Sequence, residues 1–380
     1  MKNIVLITST TLALMMSSAV SAKNDLTNGT ETTSYSFAVG SDNQFAITQS
    51  QHVPTTQSRE YSMDVNGQSL QRGVSLTTSA PGALVRISAA DGRSAVEPQL
   101  MNISQKGGKS FAKGSGFDML VDSNSMQAQG VGFQRGTTGF KIADNLGDGE
   151  FTLQTDQKVN PNGKYRINVF EKNSDTALYL KSQRGGYFKG DTLSVDAHVF
   201  DQGQAQTIRN IKGQLVSPTG QSYPVIFKKS GDGYQLKMPM KMAADNVPGA
   251  LWELHTEVKA HVNGKLVQRN GRVPFSYDEM TASMGGKVQI VGGDKNLKAM
   301  VPVSVKQDSR FEVRGVLYGT DKAGNMKPIM KTHTAQNLGR GAGQIMMEFD
   351  AKILANSGLS APYELRNVEL RDQSQMAILK

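Results

Sequence analysis

Apolar and polar positions alternate with a period of two through most of this chain, in short runs. In GDTLSVDAHVF, Leu193, Val195, Ala197 and Val199 alternate with Thr192, Ser194, Asp196 and His198, the pattern of a strand with one buried face. LWELHTEVKAHV is the longest such run, with Trp252, Leu254, Thr256, Val258, Ala260 and Val262 on one side. Asn263-Gly264 then predicts a tight hairpin into KLVQRNGRVPFSY. Ser217-Pro218-Thr219-Gly220 and Asp232-Gly233 punctuate the same region as turns. Six or seven strands in about 90 residues fit an immunoglobulin-like sandwich. A second unit repeats the pattern through Leu297, Ala299, Val301, Val303 and Val305, RFEVRGVLY, IMMEFD and the closing stretch YELRNVELR.

Residues 23 to 185 are less regular. Tyr61, Met63 and Val65 before Asn66-Gly67, then Ala83, Val85 and Ile87, FDMLV, EFTLQ and KYRINVF, read as strands. Residues 101 to 116, rich in Gly, Ser and Lys, read as a long loop. Nothing after residue 22 keeps helical apolar spacing for three turns. The predicted architecture is all-β. It comprises a larger N-terminal β-rich domain (23–185, with the polar lead 23–34 disordered), an immunoglobulin-like β-sandwich (186–277) and a C-terminal immunoglobulin-like β-sandwich (278–380). YELRNVELR switches the parity of its apolar positions at Asn367. That predicts a β-bulge, with the pairs Glu364/Arg366 and Glu369/Arg371 on the solvent face.

The one apolar run that does not alternate is the first. MKNIVLITSTTLALMMSSAVSA has a basic n-region at Lys2, an apolar h-region over Ile4 to Met16 and a Val20-Ser21-Ala22 cleavage site. Residues 1–22 are therefore predicted to be a signal peptide, and the protein to be exported, periplasmic or secreted. No transmembrane segment is predicted, since no later run approaches about 18 apolar residues. The chain has no cysteine, which excludes disulfide staples, thiol nucleophiles and thiolate metal sites and leaves each domain to a buried core. The net charge of +9 is spread without a run of five like charges. A nucleic-acid arm is not indicated, while weak attraction to anionic surfaces is compatible with the excess.

Catalytic motifs fail on inspection. Ser110 to Lys113 spells S-x-x-K and Ser41-Asp42-Asn43 spells S-D-N. Their order is reversed, K-T-G is missing and the S-x-x-K sits in a Gly-rich stretch. GGKS at Gly107 to Ser110 lacks the first glycine of a phosphate loop, that position being Ile103. His255 and His261 fall roughly 20 Å apart along one strand, too far for a shared metal, and His198 faces outward in its own. His255-x-Glu257 has no cysteine partners for a deaminase zinc. No cofactor is predicted. Asp144, Asp148 and Glu150 in DNLGDGEF are candidate Ca²⁺ ligands, with an acidic hairpin turn as the alternative. Trp252 belongs to the core face of its strand, and Tyr187, Phe188 and Tyr223 are expected to be partly exposed.

SAPGALVRIS (79–88), GGYFKGDTLSV (185–195), PGALWELHTEV (248–258), RFEVRGVLYGTDKAGNMKP (310–328) and GLSAPYELRNVELRDQSQMAIL (358–379) together resemble a bacterial family of exported proteins with immunoglobulin-like domains. That family is classified only as a domain of unknown function. The resemblance implies export and β-sandwiches and assigns no catalytic or binding residue. The chain is thus expected to be a non-enzymatic binding or interaction protein at the cell envelope or outside the cell, with a protein or glycan partner. One alternative is a secreted hydrolase or accessory module using Ser110, Lys113 and the carboxylates of 144 to 150; the other is a structural or assembly protein of the envelope.

Overall fold

Alternating sequences become strands wherever a second layer covers one of their faces, and here nearly every layer is a β-sheet. The structure, a computed structural model, describes residues 23–27, 30–39, 53–128, 132–245 and 247–379. The signal-peptide segment 1–22, Ser41-Asp42-Asn43 and His52 lie outside the described residues. The fold is all-β, its sheets built from antiparallel pairs except for one short parallel pairing, residues 186–188 on 276–278. The described α-helices have six residues each: α1 (Gly67–Arg72), α2 (Ser123–Ala128) and α3 (Ala351–Asn356). Among the described residues, no helix is long and apolar enough to cross a membrane. The chain divides into two compact units, Gln51–Asp278 and Glu279–Lys380, the latter with the N-terminal residues up to Ser50.

The polar lead expected to be disordered instead forms a hairpin of β1 (Lys23–Thr27) and β2 (Thr30–Ala38). Apolar alternation is missing on its core side because β2, between β1 and β27, is held through its backbone and hydroxyl groups.

In the unit Gln51–Asp278, β3 (Thr55–Ser58) is followed by a first sandwich. Its strands are β4 (Glu60–Asn66), β5 (Val74–Thr78), β6 (Leu84–Ala89), β7 (Met101–Gln105), β8 (Ser110–Phe111), β9 (Phe117–Val121), β10 (Thr137–Ile142), β11 (Gly149–Thr155) and β12 (Lys164–Phe170). They form sheets ordered β4-β12-β6-β10-β9 and β5-β11-β7-β8, closed over Leu76, Ile87, Met101, Phe140, Phe151 and Ile167. The loop expected over 101 to 116 is corrected by β7 and β8, since Met101 and Ile103 bury in this core. Asn66 caps α1 rather than forming a hairpin turn, accepting from the Ser69 N–H at 2.8 Å. A Cβ at Gly67 would stand 2.1 Å from the Asn160 carbonyl oxygen, so only glycine fits.

The central sandwich uses β13 (Ala177–Ser182), β14 (Gly186–Phe188), β15 (Thr192–Asp201), β16 (Gln204–Ala205), β17 (Thr207–Val216), β18 (Ser222–Val225), β19 (Phe227–Ser230), β20 (Gly233–Pro239), β21 (Trp252–Val262) and β22 (Lys265–Asp278). Its sheets run β19-β20-β15-β13-β3, with β16 on β15, and β14-β22-β21-β17-β18. Both β3 and β13 fall within 23–185, yet they belong here, so the chain passes between the two sandwiches twice, at Arg59 and just after Phe170. Trp252, Leu254 and Val258 are buried as their parity requires, and Asn263 and Gly264 turn the hairpin with φ of 49° and 76°. Tyr187 is buried rather than partly exposed, because its hydroxyl finds Ser182 Oγ at 2.8 Å inside the core.

The C-terminal unit contains β23 (Ala282–Met284), β24 (Gln289–Val291), β25 (Lys298–Val305), β26 (Ser309–Thr320), β27 (Met326–Leu338), β28 (Gly341–Glu348), β29 (Ser360–Asp372) and β30 (Ala377–Ile378). One sheet runs β1-β2-β27-β26-β29-β30; the other runs β23-β25-β24, with β28 on β25. Register moves from Arg314↔Glu369 to Val316↔Arg366. Three steps along β29 thus oppose two along β26, with Asn367 at φ 52° in the extra position. The bulge keeps Leu365 and Leu370 on the core side. Glu364 pairs with Arg366 and Glu369 with Arg371, each at 2.7 Å, on the other side. Nearby, Glu312 accepts from Arg314 Nε at 2.9 Å and Gln373 Nε2 at 3.3 Å, and lies 3.0 Å from His333 Nδ1. Burial pushes its carboxyl up, but these hydrogen bonds and the Arg314 charge overcome that and hold it at about 2.

Candidate functional site

Where the chain passes between the first and central sandwiches, a charged pair is sealed inside. Glu171 and Arg269 meet at 2.6 Å, with side chains 0% and 1% exposed. Arg269 occupies an inward position of β22, in the row Val267, Arg269, Gly271, Val273. All five of its N–H groups have acceptors: Glu171 Oε2, the Gln268 carbonyl at 2.8 Å, the Thr176 carbonyl at 3.1 Å, Ser79 Oγ at 2.6 Å and Ser174 Oγ at 3.1 Å. Glu171 accepts in turn from the backbone N–H of Ser79 and Ala80. Desolvation lowers the Arg269 pKa, opposed by the Glu171 charge, and burial raises that of the adjoining Tyr61. The two sandwiches are therefore locked at this point by a saturated polar cluster.

The lock leaves a cleft of about 830 Å³ beside it, lined by both sandwiches. Alternation explains its chemistry, because the positions that point away from each core meet here. From the central sandwich come two cross-strand rows, Lys212–Glu257–Asn270 and Gln214–His255–Arg272. From the first come Asp64–Arg166 and Ser62–Asn168. The corner between them is fastened where Asn270 Nδ2 donates to Ser62 Oγ at 3.3 Å, while Asn270 Oδ1 has no partner among the described residues.

Four of the lining side chains, Asp64, Arg166, His255 and Arg272, are held in ion pairs. Arg166 grips Asp64 with two bonds of 2.8 Å, and that bond lowers the Asp64 pKa. Glu253 stands 2.6 Å from His255 and 3.6 Å from Arg272. Burial pushes its carboxyl up, and the bonds to His255 and Arg272 more than offset this, holding it below the usual range. An apolar corner completes the cleft where β18 passes into β19: Ile226 is 78% exposed between Val225 and Phe227. A Cβ at Gly213 would meet Val225 at 2.6 Å, so glycine lets that corner fold onto β17. A smaller hollow of about 410 Å³ continues past Glu60 and Arg272 to Arg59 and Lys172.

This arrangement can hold a polar ligand by hydrogen bonds from fixed planar side chains. His255 is brought into it through its outward parity, with Nε2 engaged by Glu253. The other motifs lie elsewhere. Ser110 and Lys113 are exposed at β8 and the turn after it. Asp144, Asp148 and Glu150 face different lysines, Lys141 at 2.6 Å, Lys265 at 2.5 Å and Lys106 at 2.6 Å. No group of three His, Asp or Glu able to hold a metal occurs among the described residues. The signal for the lock was present in LVQRNGRV, where an arginine holds a core-parity position; the cleft carried none, because its outward charges are those of any solvated face.

Models of the N-terminal, central and C-terminal domains of a domain of unknown function, DUF4785, match residues 26–171, 174–278 and 281–380. Among solved structures, the chain is similar to a DUF4785 family protein from Legionella pneumophila, with 22% identity and a TM-score of 0.74 over 95% of this chain and 92% of that one. A Salmonella alpha-2-macroglobulin mutant aligns with 13% identity and a TM-score of 0.26 over 78% of this chain and 18% of its own, too distant to carry an argument. No sequence among curated proteins matches.

Proposed function

The chain belongs to the DUF4785 family, whose function is unknown, and on that premise we propose that it is an exported, non-enzymatic binding protein with immunoglobulin-like sandwiches. Its ligand site is the cleft between the first and central sandwiches, and its partner is a protein or glycan. The cleft itself carries this reading: its Asp64–Arg166 pair is formed in advance and its His255 and Arg272 are held from behind by Glu253, with the exposed Ile226 beside them. Side chains held in place before binding lose little entropy on binding. Export is supported by the n-region, h-region and cleavage site of residues 1–22.

Two measurements test the proposal. Pull-downs from periplasmic and environmental extracts, with a glycan array, compare the native chain with Arg166→Ala/Arg272→Ala. A ligand retained by the native chain and lost by the variant is expected; equal retention overturns the site. Mass spectrometry of the mature protein is expected to find its N-terminus at Lys23, and an intact Met1 in a purified exterior fraction overturns the processing.

A further inference from the structure

We propose that β2 is an exchangeable strand, and that the β27 edge it occupies is where a second copy of this chain docks by lending its own β2. The pairing runs antiparallel from Thr33↔Ala335 to Ala38↔Met330. What lies beneath it is unusual for a sheet interior. Ser34 Oγ meets Thr334 Oγ1 and Ser36 Oγ meets Thr332 Oγ1, both at 2.9 Å, with Thr332 and Thr334 fully buried. The two large residues of β2, Tyr35 and Phe37, point away from the core and remain 39% and 40% exposed. Phe37 meets His333 edge-on at 5.8 Å.

On the core side, docking β2 therefore covers hydroxyl pairs rather than hydrocarbon, and on the outer side its aromatic contact is that of Phe37 with His333. When the strand leaves, water satisfies the threonine hydroxyls it uncovers, so the hydrophobic cost of an open edge is small. The opposite flank of β26 differs, since β29 brings Leu370 against Val313 and Leu365 against Leu317. A strand fixed by backbone bonds, two hydroxyl pairs, a bond from Arg310 to the Thr33 hydroxyl at 2.9 Å and one ring contact is one that can detach while its sheet stands.

The occupant is another copy because its β2 has the same residues and remakes every bond in the same register. Residues 39 to 54 separate β2 from β3; sixteen residues reach about 50 Å when extended, enough to span to a neighbour. Reciprocal exchange gives a closed two-fold dimer, the commonest outcome for a shared edge.

The chain has no native cysteine, which makes the test clean. Ser36→Cys and Thr332→Cys face each other directly. The double variant is expected to form a disulfide within one chain at low concentration. Equimolar Ser36→Cys and Thr332→Cys single variants, mixed at high concentration and then oxidised, are expected to shift to the mass of two chains, with peptide mapping joining positions 36 and 332. Tyr35→Cys mixed with Thr332→Cys controls for collision, as position 35 points to the other face. Exchange is overturned if the double variant crosslinks but the mixed singles do not exceed that control. Failure of the double variant to crosslink overturns the β2–β27 register and the proposal with it.

Discussion

Glu171→Gln is the most informative single change in the Gln51–Asp278 unit. Glutamine keeps the volume of the side chain and an oxygen for the Ser79 and Ala80 N–H groups. It removes only the charge opposite Arg269, and sets an NH₂ group or a neutral oxygen 2.6 Å from a guanidinium that water does not reach. Leaving one member of a buried pair uncompensated costs about 3 to 5 kcal/mol, a shift of more than about a hundredfold in the unfolding equilibrium. Combining it with Arg269→Met removes the stranded charge, and the existing bond of 2.7 Å between Ser79 Oγ and Ser174 Oγ keeps those hydroxyls satisfied. The double variant should therefore be more stable than Glu171→Gln alone, despite carrying two changes. Equilibrium urea unfolding reads both, with fluorescence of Trp252, the single tryptophan, reporting from the core of the central sandwich. A cost below about 1 kcal/mol for Glu171→Gln, or a double variant weaker than either single one, would falsify the view that this pair locks the two sandwiches.

Three further outcomes are expected. The Glu312 carboxyl titrates at about 2 against an ordinary 4.5; its contribution is complete above pH 4.5 and is lost as pH falls towards 2. Glu312→Gln should therefore flatten the acid limb of the C-terminal unit's urea midpoint between those values, and an unchanged limb would refute the assignment. Asn367 holds φ 52° in the β29 bulge, so Asn367→Val should lower stability by about 1 to 2 kcal/mol more than Asn367→Gly does. Equal losses from the two would show that the backbone there is not the constraint. With Asp144, Asp148 and Glu150 each engaged by a separate lysine, neither EDTA nor millimolar Ca²⁺ should move the melting temperature, and a rise with Ca²⁺ would favour the calcium reading instead.

The sequence was legible wherever a strand's own parity decided its fate. The rows Trp252 to Val262 and Leu297 to Val305 bury as alternation demands, and the parity change at Asn367 is a bulge because both apolar sets must reach one core. Sheet membership was not legible. β3 and β13 are four and six residues long and pair across more than a hundred intervening positions; nothing in their local pattern names the partner. β2 was hidden for a second reason, its inward side being serine. The cleft was hidden because Lys212, Glu257, Arg166 and Asp64 are correctly outward-facing charges, and only the crossing of the chain at Arg59 and beyond Phe170 turns two solvated faces towards each other.

Those crossings also fix an order of events. β3 precedes the whole first sandwich and waits for β13, which follows it; β2 precedes both and waits for β27, some 300 residues later. The pairings are nested like brackets, and the outermost opens first and closes last. During synthesis or threading from the N-terminus, the innermost bracket, residues 60 to 170, is the first that can complete a sheet. β3 cannot pair with β13, nor β2 extend its hairpin with β1 onto β27, until those partners emerge, and long-range closure of this kind is slow. Both waiting segments are rich in serine and threonine and poor in aliphatic side chains. A strand edge that must stay open in water until a distant partner emerges is safest when it has little hydrocarbon to hide.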